Sequence, residues 1–213
     1  MKLVVSRIIK FLVLSDLVFW SGWGLFNPVF AIFVVEKIEG GNAFVVGVAV
    51  AIYWITKSLL RIPLGIFLDS LPGEKDDYFF SISGLFVVAL IPFGYYFSSQ
   101  PWHIYSLQII HGIAMAVSLS GWHAIFTRHI GRGKEATEWG IQSTTYGFGI
   151  GVSGVVGGWL VTKFGFEPVL ILVGILGLIG VAILLGLRNE IKGVFDNGFH
   201  VNFRKIFQRE DKQ

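Results

Sequence analysis

No cysteine occurs in the 213 residues. Disulfides, thiolate metal sites and cysteine nucleophiles are therefore excluded. Charge is sparse as well: 15% of residues are Asp, Glu, Lys or Arg, against about a quarter in a soluble domain. Sequences of the type H-E-x-x-H, G-x-S-x-G, a phosphate-binding loop or a potassium filter are absent. The histidines His103, His111, His123, His129 and His200 do not fall at metal-ligand spacings. The expectation is a protein without metal or other cofactor and without enzymatic activity. The isoelectric point near 9.2 does not point to nucleic acid, because the basic residues are spread over loops rather than gathered on one helix or patch.

What the chain has in abundance is apolar sequence. Hydrophobic residues make up 54% of it, with 20 Phe and 7 Trp, and the mean hydropathy is +0.68. About 20 mostly apolar residues are needed to cross the roughly 30 Å hydrocarbon core of a bilayer. Six stretches qualify, at 11–35, 44–68, 78–97, 102–126, 140–162 and 168–187. They predict an all-α integral membrane protein whose one domain, 1–187, is a bundle of six transmembrane helices. The segment 188–213 is read as a cytoplasmic tail, either a short surface helix on the inner leaflet, with Phe195, Phe199 and Phe203 among its apolar residues, or a loop that continues into a further part. The apolar run after Met1–Lys10 is too long for a signal-peptide core and lacks a small-residue cleavage site, so it reads as a retained first helix. Gly40-Gly41-Asn42, Leu71-Pro72-Gly73, Ser98-Ser99-Gln100-Pro101 and Phe164-Gly165-Phe166 punctuate the spans.

Loop charge sets the orientation. Lys2, Arg7 and Lys10 precede the first span, Lys75 follows the second, Arg128, Arg132 and Lys134 follow the fourth, and Arg188 opens the basic tail. The opposite side holds only Lys37 and Lys163. Lys and Arg accumulate on the inner side of a membrane protein, so both termini are expected in the cytoplasm of a multi-pass protein, with the cell membrane as its expected location. Glu135 and Glu138 open the fifth helix, where the helix dipole favours anions.

Ionisable residues inside spans are costly and mark functional sites by default. Asp16 lies in the first span, and Lys57 and Arg61 lie four apart on one face of the second. If the first two helices are neighbours, Asp16 pairs with Arg61, or shares Arg61 and Lys57. Such charges either tie two helices together or line a hydrated cavity that binds an anion, a proton or a polar substrate. The fourth span adds Gln108, His111, Ser118 and His123, and the fifth adds Gln142, Thr145 and Tyr146 as polar lining. Asn27-Pro28 interrupts the backbone hydrogen bonding of the first span, as a gating hinge or as shape. In the fifth span Gly147/Gly151 and Gly154/Gly158 are each four apart, the spacing of a close helix–helix contact. Gly174, Gly177 and Gly180 suit packing of the sixth span.

Three segments together resemble the major facilitator superfamily of secondary transporters. Gly65-Ile66-Phe67-Leu68-Asp69-Ser70-Leu71-Pro72-Gly73-Glu74-Lys75 looks like the family's signature loop, with Gly65 and Asp69 in register and Gly73 one position late. Gln108 and Gly112 align with an Arg and a Gly of the fourth helix, the Arg being absent. Gly149 and the run Ser153 to Gly158, including Gly154, Gly157 and Gly158, resemble the antiporter-type motif, with Gly154 where its Pro would be. The resemblance covers the whole chain as the N-terminal half of such a transporter. It implies two inverted three-helix repeats, echoed by Gly22-Trp23 and Gly121-Trp122. It also implies that the first and fourth helices line a central cavity, helped by the second and fifth, with the third and sixth outside.

The expected function is that of a transporter half moving a small solute by alternating access. Asp16, Lys57, Arg61, Gln108, His111 and Gln142 are the cavity candidates, Gly65, Asp69 and Gly73 a gating latch, and Gly149, Gly154, Gly157 and Gly158 helix-packing positions. The expected partners are the solute, a proton or other coupling ion, the lipid bilayer, and either a second copy or a separate C-terminal half. The rival readings are a non-transporting membrane scaffold or assembly factor, and a six-helix channel.

Overall fold

A computed structural model describes residues 5–191. The first span is a broken helix: α1 (Arg7–Phe26), a 3₁₀ turn at Asn27–Val29, and α2 (Phe30–Lys37). The break falls at Asn27-Pro28, where proline removes a backbone donor. The remaining spans are α3 (Ala43–Ser70), α4 (Lys75–Tyr96), α5 (Pro101–His129), α6 (Glu135–Phe164) and α7 (Phe166–Leu185). Six helical segments are long and apolar enough to cross a membrane.

The ends are set locally. Asn42 Oδ1 accepts from the Phe44 and Val45 amides at 2.9 and 3.1 Å, capping α3. Ser6 Oγ caps α1 by accepting from Ile9 N at 3.2 Å. Pro101 opens α5, where its missing N–H costs nothing. At the start of α6, Glu138 Oε2 accepts from Gly131 N at 3.1 Å and Glu135 Oε1 from Gly133 N at 3.1 Å, so both acids satisfy backbone donors, as their position suggests. Gly165, at φ 82°, joins α6 to α7 with a single residue between them.

Several helices run beyond the apolar stretches. α5 continues to His129 rather than 126 and α6 starts at Glu135 rather than 140. The extensions are polar turns whose side chains find partners: Arg128 pairs with Asp77 and contacts the Gly73 carbonyl at 3.1 Å, while His129 Nε2 lies 3.8 Å from Glu74. The tail expected at 188–213 lies outside the described residues from residue 192 onward.

Apart from α4 and α5, helices adjacent in sequence are not the principal neighbours in space. α1 packs on α6 and α7, α5 packs on α3 and α4, and α4 meets α7 between the two groups. One serine crosses each inner contact. Ser15 Oγ donates to the Gly180 carbonyl at 2.8 Å between α1 and α7, and Ser118 Oγ donates to the Ser81 carbonyl at 3.0 Å between α5 and α4. Without a hydrophobic force between helices in lipid, such bonds and small-residue contacts hold a bundle together.

The α1–α6 contact shows this most directly. Gly149, Ser153 and Gly157 form the buried stripe of α6. A Cβ on Gly157 would overlap the Leu25 carbonyl, and one on Gly149 would press on Ser21 and Leu17 of α1. Gly154 lies at the edge of this stripe, where an added Cβ would sit 3.4 Å from Pro28 Cγ. Gly158, Gly147 and Gly151 face open space among the described residues. The packing face is therefore the 149/153/157 register, and the pairs 147/151 and 154/158 correct to positions beside it: Ser153, a small residue, completes the four-residue spacing. On α7, Gly174, Gly177 and Gly180 pack against Phe93, Ala89 and Phe19.

Candidate transport cavity

A cavity of about 410 Å³ opens at the centre of the bundle. Trp20, Trp23, Asn27 and Phe30 of the first span face it. Tyr53, Trp54 and Lys57 of α3 form the opposite wall, Gln108 and His111 come from α5, and Tyr95 and Tyr146 close it from α4 and α6. Four of the six spans supply most of the wall, with Tyr95 the contribution of the third.

Lys57 is the charged side chain in this wall. Its Nζ sits 3.4 Å from the Trp54 ring centre and 4.8 Å from that of Tyr53. The helix dictates the arrangement, because Tyr53 and Trp54 precede Lys57 by four and three residues and so share its face. A cation over an aromatic face gains about 0.5–2 kcal/mol. Among the described residues no carboxylate lies within 4 Å of the ammonium. On α5, which packs against α3 here, the His111 ring is stacked on Trp23 at 4.5 Å and meets Tyr53 at 4.6 Å. Both His111 ring nitrogens, Gln108 Oε1 and Trp23 Nε1 are buried and find no hydrogen-bond partner among the described residues.

The expected Asp16–Arg61 pair does not form. Gln142 Nε2 donates to Asp16 Oδ2 at 3.1 Å across the α1–α6 contact. Arg61 Nη2 reaches the His123 ring of α5, at 3.2 Å from Nε2. His123 Nδ1 lies 2.6 Å from the Leu119 carbonyl; with the proton on Nδ1 donated there, Nε2 is left to accept from Arg61. The reason is topological: α1 packs on α6 and α3 on α5, so acid and base are held in different helix pairs. Gln142, noted only as lining, is the partner of Asp16.

A second recess of about 360 Å³ lies between α3 and α5 and gathers Arg61, Gly65, Asp69, His123 and Arg128. Gly73 does not line it. Its carbonyl accepts from Arg128 Nη1, whose guanidinium also pairs with Asp77, a carboxylate 1% exposed. Sequence reasoning passed over the Arg128–Asp77 pair and the aromatic wall. The available signal was Tyr and Trp one helical turn before an intramembrane Lys, in mid-span rather than at the interface where such rings usually gather.

Six membrane-length helices around an aromatic cavity with a buried cation define a polytopic membrane protein. A profile of the Major Facilitator Superfamily matches residues 12–209. The chain belongs to that superfamily and is an integral, multi-pass membrane transporter of the major facilitator kind. A search of curated proteins returned no match.

Proposed function

We propose that the chain is a six-helix half of a secondary transporter that moves a small solute by alternating access, with the solute held at Lys57, Gln108 and His111. The observation that carries this reading is the central cavity, in which an ammonium without a carboxylate partner faces three buried polar side chains without hydrogen bonds. Leaving such groups unpaired costs about 1–3 kcal/mol each, and a solute that pairs with them recovers that cost.

The rest of the molecule supports the same cycle. The matched packing of α1 on α6 and α7 and of α5 on α3 and α4 supports two inverted three-helix repeats. The bias of Lys and Arg supports cytoplasmic termini, with 188–213 as a tail on that side. Trp54 is 55% exposed although it walls the cavity, which supports a missing wall supplied by a second copy or a separate C-terminal half. Asp16, bonded to Gln142, is the group suited to carry a coupling proton. The recess at Gly65 and Asp69 is the latch, closing when an element of the other half enters it.

The test is uptake into proteoliposomes. Saturable uptake that falls in both Lys57→Ala and Asp69→Asn supports the mechanism. Flux unchanged in both variants refutes it, conductance without saturation identifies a channel, and absence of any flux identifies a scaffold.

A further inference from the structure

We infer that the solute is a small organic monoanion with a flat, apolar body and a hydrogen-bond donor besides its carboxylate, of the class of hydroxylated or N–H-bearing aromatic carboxylates; this rests on the transporter reading above. Three features of the cavity argue for it independently. Charge comes first. The fixed charge in the wall is the Lys57 ammonium, and no carboxylate among the described residues neutralises it. An aromatic cage would otherwise suit a cationic ligand, but here the cation over Trp54 belongs to the protein. A second cation would be repelled, whereas a carboxylate meets a charge-assisted donor.

Shape is the second feature. Trp20, Trp23, Tyr53, Trp54, Tyr95 and Tyr146 present ring faces and edges to one space of about 410 Å³. That volume falls in the range of small-molecule sites, about 300–1,000 Å³, and its rings stack best on another planar group. Polar complementarity is the third. Gln108 Oε1 can only accept, and a neutral His111 carries one donor and one acceptor. All of these atoms are buried without partners. A bare hydrocarbon ring would leave them unpaired, while a hydroxyl or ring N–H satisfies an acceptor. The solute therefore lies with its carboxylate toward Lys57 and its donor toward Gln108 and His111.

The experiment uses the whole chain in lipid nanodiscs and tritiated 4-hydroxybenzoate as the probe, with binding read by scintillation proximity. Unlabelled 4-hydroxybenzoate is expected to displace the probe at least about tenfold better than 4-hydroxybenzamide, its neutral analogue, or 4-hydroxybenzylamine, its cationic one, as the loss of a charged hydrogen bond requires. Lys57→Gln is expected to weaken binding by a similar factor and Lys57→Arg to restore most of it. His111→Phe should abolish the preference for 4-hydroxybenzoate over benzoate. If Lys57→Gln does not yield monodisperse protein, the order of displacement in the unaltered chain decides alone. Equal or better displacement by the amine overturns the proposal. So does the absence of saturable binding of 4-hydroxybenzoate, benzoate and indole-3-acetate at about 1 mM, an affinity corresponding to roughly −4 kcal/mol. Saturable proteoliposome uptake of a cation or a neutral solute without anion binding leaves the transporter reading standing and sinks this one. Lys57-dependent anion binding without flux of any solute does the reverse.

Discussion

Gly157 and Gly158 are neighbours in sequence and opposites in surroundings, so replacing each with alanine separates packing from propensity. An added methyl group at Gly157 would overlap the carbonyl oxygen and Cα of Leu25, both backbone atoms that cannot swing aside. Helices α1 and α6 would have to part, at an overpacking cost of about 1–3 kcal/mol. The same methyl at Gly158 meets nothing within 4 Å among the described residues, and alanine is the better helix former by up to about 1 kcal/mol. Gly157→Ala should therefore be destabilised, by up to about 2 kcal/mol net of the propensity gain, and Gly158→Ala should be neutral or slightly stabilised. The propensity gain is common to both, so the gap between the adjacent substitutions is the overpacking cost itself, about 1–3 kcal/mol, or a factor of roughly 5–150 in the unfolding equilibrium. Reversible unfolding in mixed detergent micelles, followed by tryptophan fluorescence, reads the difference directly. Equal stability of the two variants, or a larger loss at Gly158, would refute the assignment of the 149/153/157 face to the α1 contact.

Three further outcomes follow from single contacts. Asn42→Ala removes two hydrogen bonds at the start of α3 and should cost about 0.5–2 kcal/mol in the same unfolding assay, with Asn42→Asp or Asn42→Ser recovering most of it. Arg128→Ala strands the buried Asp77 carboxylate and should cost about 3–5 kcal/mol, whereas Asp77→Asn leaves only a partly exposed guanidinium and should cost clearly less; the reverse order would show that the pair is not what holds this end of the bundle. Asp16→Asn keeps an oxygen for Gln142 and should leave stability within about 1 kcal/mol while removing any dependence of uptake on a proton gradient. Asp16→Leu should lose both.

The six spans were legible because the bilayer imposes a length and a composition that few other settings require. Their ends were less so: the turn ending at His129 is polar and meets Asp77 and Glu74 through Arg128 and His129, and the polar turn at Glu135–Trp139 is tied down by Glu135 and Glu138 on the Gly133 and Gly131 amides. Lys57, Gln108 and His111 could be read as cavity residues from the cost of burying them. The Asp16–Arg61 pairing was not readable, since similar depth in the membrane does not establish adjacency, and the chain folds α1 against α6 rather than α3. Gly149 and Gly157 pack on α1 as expected, whereas the pairs 147/151 and 154/158 were placed on the wrong face for a related reason. In a helix with Gly at 147, 149, 151, 154, 157 and 158, several faces satisfy a four-residue spacing. The choice among them is made by α1, whose Gly24 meets Ser153.

The Gly73 carbonyl is tied to α5 through Arg128, while Asp69, four residues earlier, sits on the last turn of α3. The short stretch between them is thus a joint with one side bolted down. Leu71 is extended at ψ 140°, Pro72 fixes its own φ, and Gly73 takes φ 99°, open to few other residues. A swing of α3 that widened the recess around Asp69 could not be passed along the chain into α4; it would have to be taken up as rotation about Leu71 and the end of α3. In the proposed transport cycle the latch would then act as a lever with a fixed fulcrum, and lengthening the segment between Ser70 and Gly73 by a single residue would uncouple it without touching any side chain in the cavity.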